Sequence, residues 1–369
     1  MRTRILTFIL VFQSVQFLAH WFLYETWTSF WGASSPLALS RLQVCVALLS
    51  VSFVAASLLS FRFSNILVRL FYTFAAAWLG LLVYFFLAAC ACWLLYPVAL
   101  LVGLHGAQRP LAVVLFGAAV AACLYGIVNA AWTRVHHATI RLPNLPDAWR
   151  GRTAALVSDT HLGHVRNRRF ARRIVGLLTR LQPDVVFIPG DVYDGTRADL
   201  DRLAEPWSQL SAPQGAYFVG GNHEEFSSRA KYLMALEKHG IRVLNNEKVT
   251  VDGLQIVGVH FSESADPERF RSILQAAAVD RGCAAVLLCH APHHLAISEQ
   301  EGISLQLSGH THGGQFFPFT RIVSRIYGQY VHGLQRFGNL MIYITWGAGT
   351  WGPPLRVGTQ PEIVLLHFE

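Results

Sequence analysis

Charge is scarce in this 369-residue chain: charged side chains make up 14% of it, against ~25% in an ordinary soluble domain. The first third is poorer still. Residues 1–132 contain no Lys and no Asp, only six Arg and one Glu, a net of +5. The other 237 residues carry 24 basic and 21 acidic side chains, a net of +3. This balance excludes a disordered tail and argues against a wholly soluble enzyme. The overall +8 does not signal a nucleic-acid partner, because the surplus Arg flank apolar runs and form no stripe. Cysteine is also sparse. Cys45, Cys90, Cys92 and Cys123 lie in apolar runs, and Cys283 and Cys289 border or occupy a strand-like run. None has the spacing of a zinc module or of a secreted disulfide framework, so they read as reduced thiols, which fits a cytosol-facing protein.

Long apolar runs fill the first third. A spanning helix needs ~20 mostly apolar residues, and Ile5–Tyr24, Leu42–Phe61, Leu70–Tyr96 and Leu111–Trp132 each qualify. The third is expected to end at Pro97. The first is not followed by a small-residue cleavage site; Trp21, Phe22, Tyr24 and Trp27 stand there as an interfacial belt. His20 reads as an interfacial residue near that helix end. Arg2, Arg4, Arg62 and Arg69 mark one side, joined by Arg134, Arg141, Arg150 and Arg152 after the fourth span; the opposite loops hold only Arg41 and Arg109. That bias places both termini, and everything after the fourth span, in the cytoplasm of a multi-pass membrane protein.

The polar part begins with a Pro-containing stretch, 133–152, read as a juxtamembrane linker between an anchor (1–132) and a domain (153–369). In the domain, short apolar strands alternate with helical segments. Strands are expected at Thr153–Ser158, Val185–Pro189, Ala216–Gly220, Leu254–His260, Ala284–Cys289, Ile303–Ser308, Met341–Thr345 and Ile363–Phe368. Helices are expected at Arg168–Leu181, Asp199–Leu210, Ser227–His239 and Pro267–Ala277. This is the pattern of an α/β domain.

Fourteen of the 16 His follow residue 132, and many stand where strands end. Five strand-like runs lead into Asp159-Thr160-His161, Gly190-Asp191-Val192-Tyr193-Asp194, Gly221-Asn222-His223-Glu224, His290, and Gly309-His310-Thr311-His312. Any one fragment is ordinarily a turn. Five in succession converge, because ligand sites of open α/β sheets lie beyond the carboxyl ends of the strands. Imidazole and carboxylate without thiolate suit Mn, Fe, Zn or Co. One carboxylate can bridge two ions ~3.5–4 Å apart, the spacing used in phosphoryl hydrolysis. Glycines before Asp191, Asn222 and His310 allow close backbone approach. Arg321, Arg325 and Arg356 are candidate phosphate anchors, since Arg meets phosphate bidentately. The run Phe316–Phe319 is too apolar for a free loop and suits either the core or a bilayer surface.

These five blocks resemble those of the calcineurin-like metallophosphoesterase superfamily. Gly313-Gly314-Gln315, Trp346-Gly347-Ala348-Gly349-Thr350, Pro354-Leu355-Arg356 and Pro361-Glu362-Ile363 are similar to a membrane-associated branch, like the bacterial UDP-diacylglucosamine phosphodiesterases. The resemblance implies a four-layer α-β-β-α sandwich after the four-span bundle. It implies two divalent metals, the first held by Asp159, His161 and His312, the second by Asn222, His290 and His310, with Asp191 shared. His223 is then the proton donor to the leaving oxygen, with Glu224 or Asp194 orienting it. The implied activity is hydrolysis of a phosphodiester or pyrophosphate bond, in a lipid-linked substrate met at the bilayer. The alternatives are a soluble phosphodiester, such as a cyclic nucleotide or a glycerophosphodiester, and, in another class, a membrane scaffold or sensor with a vestigial domain. The complete ligand set argues against the last.

Overall fold

The structure, a computed structural model, describes residues 2–32, 35–226 and 228–369, with side chains from Leu6 onward. The Arg2 and Arg4 side chains used in the orientation argument, and Ser227 of one expected helix, lie outside that description. The chain divides into two compact units, Met1–Val128 with Gly352–Leu355, and Asn129–Trp351 with Arg356–Glu369.

The first unit is built from α1 (Arg2–Trp31), α2 (Pro36–Arg62), α3 (Ile66–Leu101) and α4 (Gln108–Ala131). All four are long and apolar enough to cross a membrane. Their starts follow local rules. Ser35 caps α2 by accepting from the Ala38 amide, with Pro36 in the first turn, and Asn65 caps α3 by accepting from the Val68 amide. Helix α3 does not stop at Pro97 as expected but runs on to Leu101. Pro removes only one amide donor, and apolar helices tolerate it where neighbouring groups compensate.

Among the described residues, the second unit contains twelve strands in two mixed sheets. In chain order its elements are β1 (Arg134–Ile140), β2 (Thr153–Leu156), α5 (Arg168–Leu181), β3 (Val185–Pro189), α6 (Leu200–Ala204), β4 (Ala216–Val219), α7 (Arg229–Glu237) and β5 (Arg242–Val243). There follow β6 (Lys248–Val251), β7 (Leu254–Val259), α8 (Phe261–Ser264), α9 (Pro267–Ala277), β8 (Ala285–Cys289), α10 (Leu295–Gln300) and β9 (Leu305–Ser308). The chain ends with α11 (Phe319–Tyr327), β10 (Gly333–Phe337), β11 (Leu340–Ile344) and β12 (Glu362–Phe368). One sheet runs β1-β12-β2-β3-β4-β5 and the other β10-β11-β9-β8-β7-β6. Neighbours β2, β3 and β4 are parallel, as are β7, β8 and β9.

Alternating side chains sort these strands into three apolar clusters. Leu156, Phe187, Val219, Ile256, Leu288, Leu307 and Leu366 join both sheets in one core. Ala155, Val186 and Phe218 of the first sheet pack with Phe170, Ile174 and Leu178 of α5. Val257, Leu287 and Ile342 of the second pack with Phe270 and Leu274 of α9.

Seven residues of the stretch read as a linker form a strand. Residues Arg134–Ile140 pair in parallel with Glu362–Phe368 along their full length. Its sequence, Arg-Val-His-His-Ala-Thr-Ile, has little apolar alternation because an edge strand is half-exposed. Strands β5, β6 and β10 also went unread, being short or amphipathic.

Candidate metal centre

The five chemistry-bearing loops follow β2, β3, β4, β8 and β9, so both sheets deliver residues to one place. The turns that do this are unusual. Asp159, His161, Asp191, His310 and His312 all have left-handed backbone, with φ between 46° and 70°. Each such non-glycine residue costs of order 1–3 kcal/mol and persists only where surrounding structure over-determines it. Here hydrogen bonds between loops do so. The Asp159 amide donates to the Gly190 carbonyl, the His161 amide to the Asp191 carbonyl and the His223 amide to Asp191 Oδ1. The adjoining glycines are needed for approach: a Cβ on Gly221 would collide with Asp191 Oδ1, and one on Gly309 with Asp159 Oδ2.

The side chains fall into two groups. In the first, His312 Nε2 lies 3.2 Å from Asp159 Oδ1 and 3.0 Å from His161 Nε2. In the second, Asn222 Oδ1 lies 3.0 Å from His310 Nδ1 and 3.2 Å from His290 Nε2, and those two nitrogens are 3.3 Å apart. Asp191 Oδ2 stands between the groups, 3.2 Å from His290 Nε2 and 3.9 Å from His161 Nε2. His290 Nε2 thus faces Asn222 Oδ1, His310 Nδ1 and Asp191 Oδ2 at 3.2–3.3 Å with at most one hydrogen to offer, a poor arrangement for these side chains alone. A cation among them resolves it. Three buried sets, Asp159–His161–His312, His161–Asp191–His223 and Asp159–Asp191–His290, each bring their ligand atoms within 4.8 Å of one another. The donor set therefore fits divalent ions.

The electrostatics are of the same kind. Burial alone would raise both carboxylates, but His312 and His290 hold Asp159 below its usual range, and His290, His223 and His161 do the same for Asp191. Burial keeps His161, His310 and His312 low, hence neutral, with His310 pushed down to about 3. Ionised carboxylates and neutral imidazoles are the forms that bind metal. His290 is the exception. Burial opposes its charge, yet Asp191 draws it up to about 10.

His223 is oriented, but not by the side chains expected. Its Nδ1 lies 2.8 Å from the Asp194 main-chain carbonyl, which can only accept, so Nδ1 carries the hydrogen and Nε2 is turned toward Asp191 Oδ2 at 3.9 Å. The Asp194 carboxylate instead binds the His164 and Thr196 amides. The Glu224 carboxylate accepts from the amides of Asp191, Tyr193 and Gly221, stapling two ligand loops together. Burial first, and then Asp191, raises Glu224 to about 8. Both carboxylates shape loops, because buried amides at sharp turns need acceptors more than the imidazole does.

Arg356 also differs from its reading as a phosphate anchor. It is fully buried. Its guanidinium donates to the carbonyls of His312 at 3.0 Å and of Trp346 and Gly349 at 2.7 Å each, and lies 3.0 Å from His312 Nδ1. The loop it holds reaches back to the first group, since the Gly349 amide donates to the Asp159 carbonyl. Arg321 and Arg325 are exposed on α11.

Sequence reasoning missed Phe226 and Trp351, exposed aromatics whose rings lie 4.6 Å and 6.0 Å from that of His223. It also missed Phe261, 5.9 Å from His290 and 5.6 Å from His310. The only signal for Phe226 was its place two residues after Glu224.

Residues 153–314 match the family described as calcineurin-like phosphoesterase. A transmembrane protein with metallophosphoesterase domain from Danio rerio is 34% identical over 256 residues, covering 65% of this chain and 58% of its own length. An uncharacterized metallophosphoesterase of Campylobacter jejuni is 31% identical over 252 residues, 67% of this chain and 66% of its own. Another, of Aquifex aeolicus, is 31% identical over 255 residues, 66% of this chain and 95% of its own. The chain thus spans 58% and 66% of the length of the first two relatives. With its ligand-rich strand ends and four apolar helices, the chain belongs to the calcineurin-like metallophosphoesterase family.

Proposed function

We propose that this chain is a membrane-anchored hydrolase with two divalent metals, cleaving a phosphodiester or pyrophosphate bond in a lipid-linked substrate such as UDP-diacylglucosamine. Residues 1–132 serve as the anchor, and the domain from 153 onward works on the cytoplasmic side, as the arginine bias favours. The observation that carries the reading is the pair of ligand groups meeting at Asp191, with His223 beside them and its Nδ1 already committed to a carbonyl.

Asp159, His161 and His312 would hold one ion, Asn222, His290 and His310 the other, and Asp191 both. Such ions, when bound, lower the pKa of water and neutralise charge on phosphoryl oxygens. The chain's own residues do the rest. His223 presents Nε2 as the atom that gives a proton to the leaving oxygen. Glu224 fixes the Asp191 and Gly221 loops, so that Asp191 and Asn222 keep their spacing. Arg356 binds the His312 carbonyl to the loop behind Asp159, so its role is positioning. The lipid-linked substrate is favoured by the four spans, since an enzyme for a soluble metabolite gains little from being held at a bilayer.

Elemental analysis of the detergent-purified chain should find two equivalents of divalent metal. In mixed micelles, a diacylated nucleotide-sugar diphosphate should be turned over with at least ~10-fold higher kcat/KM than its deacylated analogue, equivalent to about 1.4 kcal/mol of transition-state binding. Equal rates would remove the lipid substrate and leave the hydrolase; a metal-free active protein would remove the mechanism.

A further inference from the structure

Helix α11 begins five residues after the Gly314 that follows His312, and none of its residues is fully buried. Thr320, Val323 and Tyr327 are half-buried and recur at three and four residues, so one face rests on the domain. The Tyr327 ring comes 6.5 Å from that of His310. Phe319, Ile322 and Ile326 recur at the same spacing on a different line and are exposed, Ile326 to 68%. Arg321 and Arg325, four apart, form a third line, also exposed. Two more large apolar side chains continue this surface toward the metal centre. Phe317 is exposed just before the helix, and Trp351 is 57% exposed, is tied to Gln315 by two hydrogen bonds and stands beside His223.

Large apolar side chains exposed along one line of a helix are unfavourable in water and mark a contact surface. Its surroundings identify the occupant. Residues 316–333 contain no Asp or Glu, so the only charges there are the two arginines. Only residues 132 and 133 separate the end of α4 from the start of β1, so the domain begins where the fourth apolar helix ends. An apolar stripe flanked by arginines is the pattern of a helix lying in the plane of a lipid interface.

We propose that α11, with Phe317 and Trp351, is a membrane-docking surface. Phe319, Ile322 and Ile326 lie among the acyl carbons nearest the headgroups, and Arg321 and Arg325 meet lipid phosphates. The rim of the metal centre, through Tyr327 and Trp351, is thereby held at headgroup depth. The inference rests on reading the four helices as spans, and not on which phosphoester is cleaved.

The test places a photoreactive benzoylphenylalanine in the full-length chain in phosphatidylcholine–phosphatidylglycerol nanodiscs, one site at a time. Phe319→benzoylphenylalanine exchanges one aromatic for another, so folding is preserved, and Ile326 is the second site. Exposed Glu268 of α9 is the control. Lipid adducts at Phe319 and Ile326, read by mass spectrometry, should exceed those at Glu268 at least fivefold. Yields equal to the control, or adducts joining two copies of the chain, would overturn the proposal. Cross-linking needs no turnover, so an inactive enzyme leaves this readout intact, and a failed cross-link leaves the proposed reaction standing.

Discussion

Both halves of the molecule bury histidine, and they treat it in opposite ways. In the apolar half, His20 has a partner on each ring nitrogen: Nδ1 donates to the Gln16 carbonyl at 2.7 Å, and Nε2 accepts from Trp78 Nε1 at 2.9 Å. Nearby Thr26, Ser50, Ser52 and Ser60 return their hydroxyls to carbonyls three or four residues back. Polar groups there are silenced locally, as an environment without water demands. In the α/β half, His161 leaves Nδ1 buried with no hydrogen-bond partner and turns Nε2 toward the Nε2 of His312. Burial is equal; what differs is whether both ring nitrogens are used up by a carbonyl of the same helix and a donor on another, or left facing other candidate metal ligands.

Replacing Asp191, the carboxylate common to both ligand groups, is the severest way to break the second arrangement. Asp191→Asn should lose bound metal by elemental analysis and turnover by several orders of magnitude. Wild-type rate in that variant would end the two-metal reading. His223→Ala comes next. It should keep its metal yet lose ~10²–10⁴-fold in turnover, with a smaller loss for substrates whose leaving group needs no proton. A uniform loss across leaving groups would assign His223 a different task.

Arg356→Lys sharpens the comparison at a distance from the reacting atoms. One ammonium cannot serve the carbonyls of His312, Trp346 and Gly349 together. Metal affinity measured by calorimetric titration should weaken ~10–100-fold, as for other residues that orient ligands. Unchanged affinity with impaired substrate binding would restore its reading as a phosphate anchor. The smallest effect belongs to the silenced histidine. His20→Leu should cost ~0.6 kcal/mol of stability, a typical interhelical hydrogen bond in a membrane, and leave metal content untouched.

Much of this was legible in the chain itself. Helices α5 and α9 fall where apolar periodicity puts them, because one residue face decides their burial, and strand β3 falls on a short continuous apolar run that is buried on both faces. Edge strand β1 was not, since a half-exposed strand has no strong alternation to read. The acyclic order of motifs named the candidate ligands but not their supports. Glu224 and Asp194 were placed beside His223 by the family resemblance, whereas backbone amides from turns 30 or more residues away claim the Glu224 carboxylate.

Sequence alone determined the four long apolar helices and the inventory of candidate ligands, since apolar run length and residue chemistry are local properties. Tertiary structure decided how that inventory is used. It brings Asp159 within 3.2 Å of His312 across 153 positions of chain, and holds both in left-handed turns that neither residue prefers. It turns Arg356 inward, because carbonyls of two loops, those of His312 and of Trp346 and Gly349, meet there. It also divides the Phe316–Phe319 run, burying Phe316 and exposing Phe317 and Phe319. A run of like residues cannot say which of them faces out; only the neighbours packed against each one can.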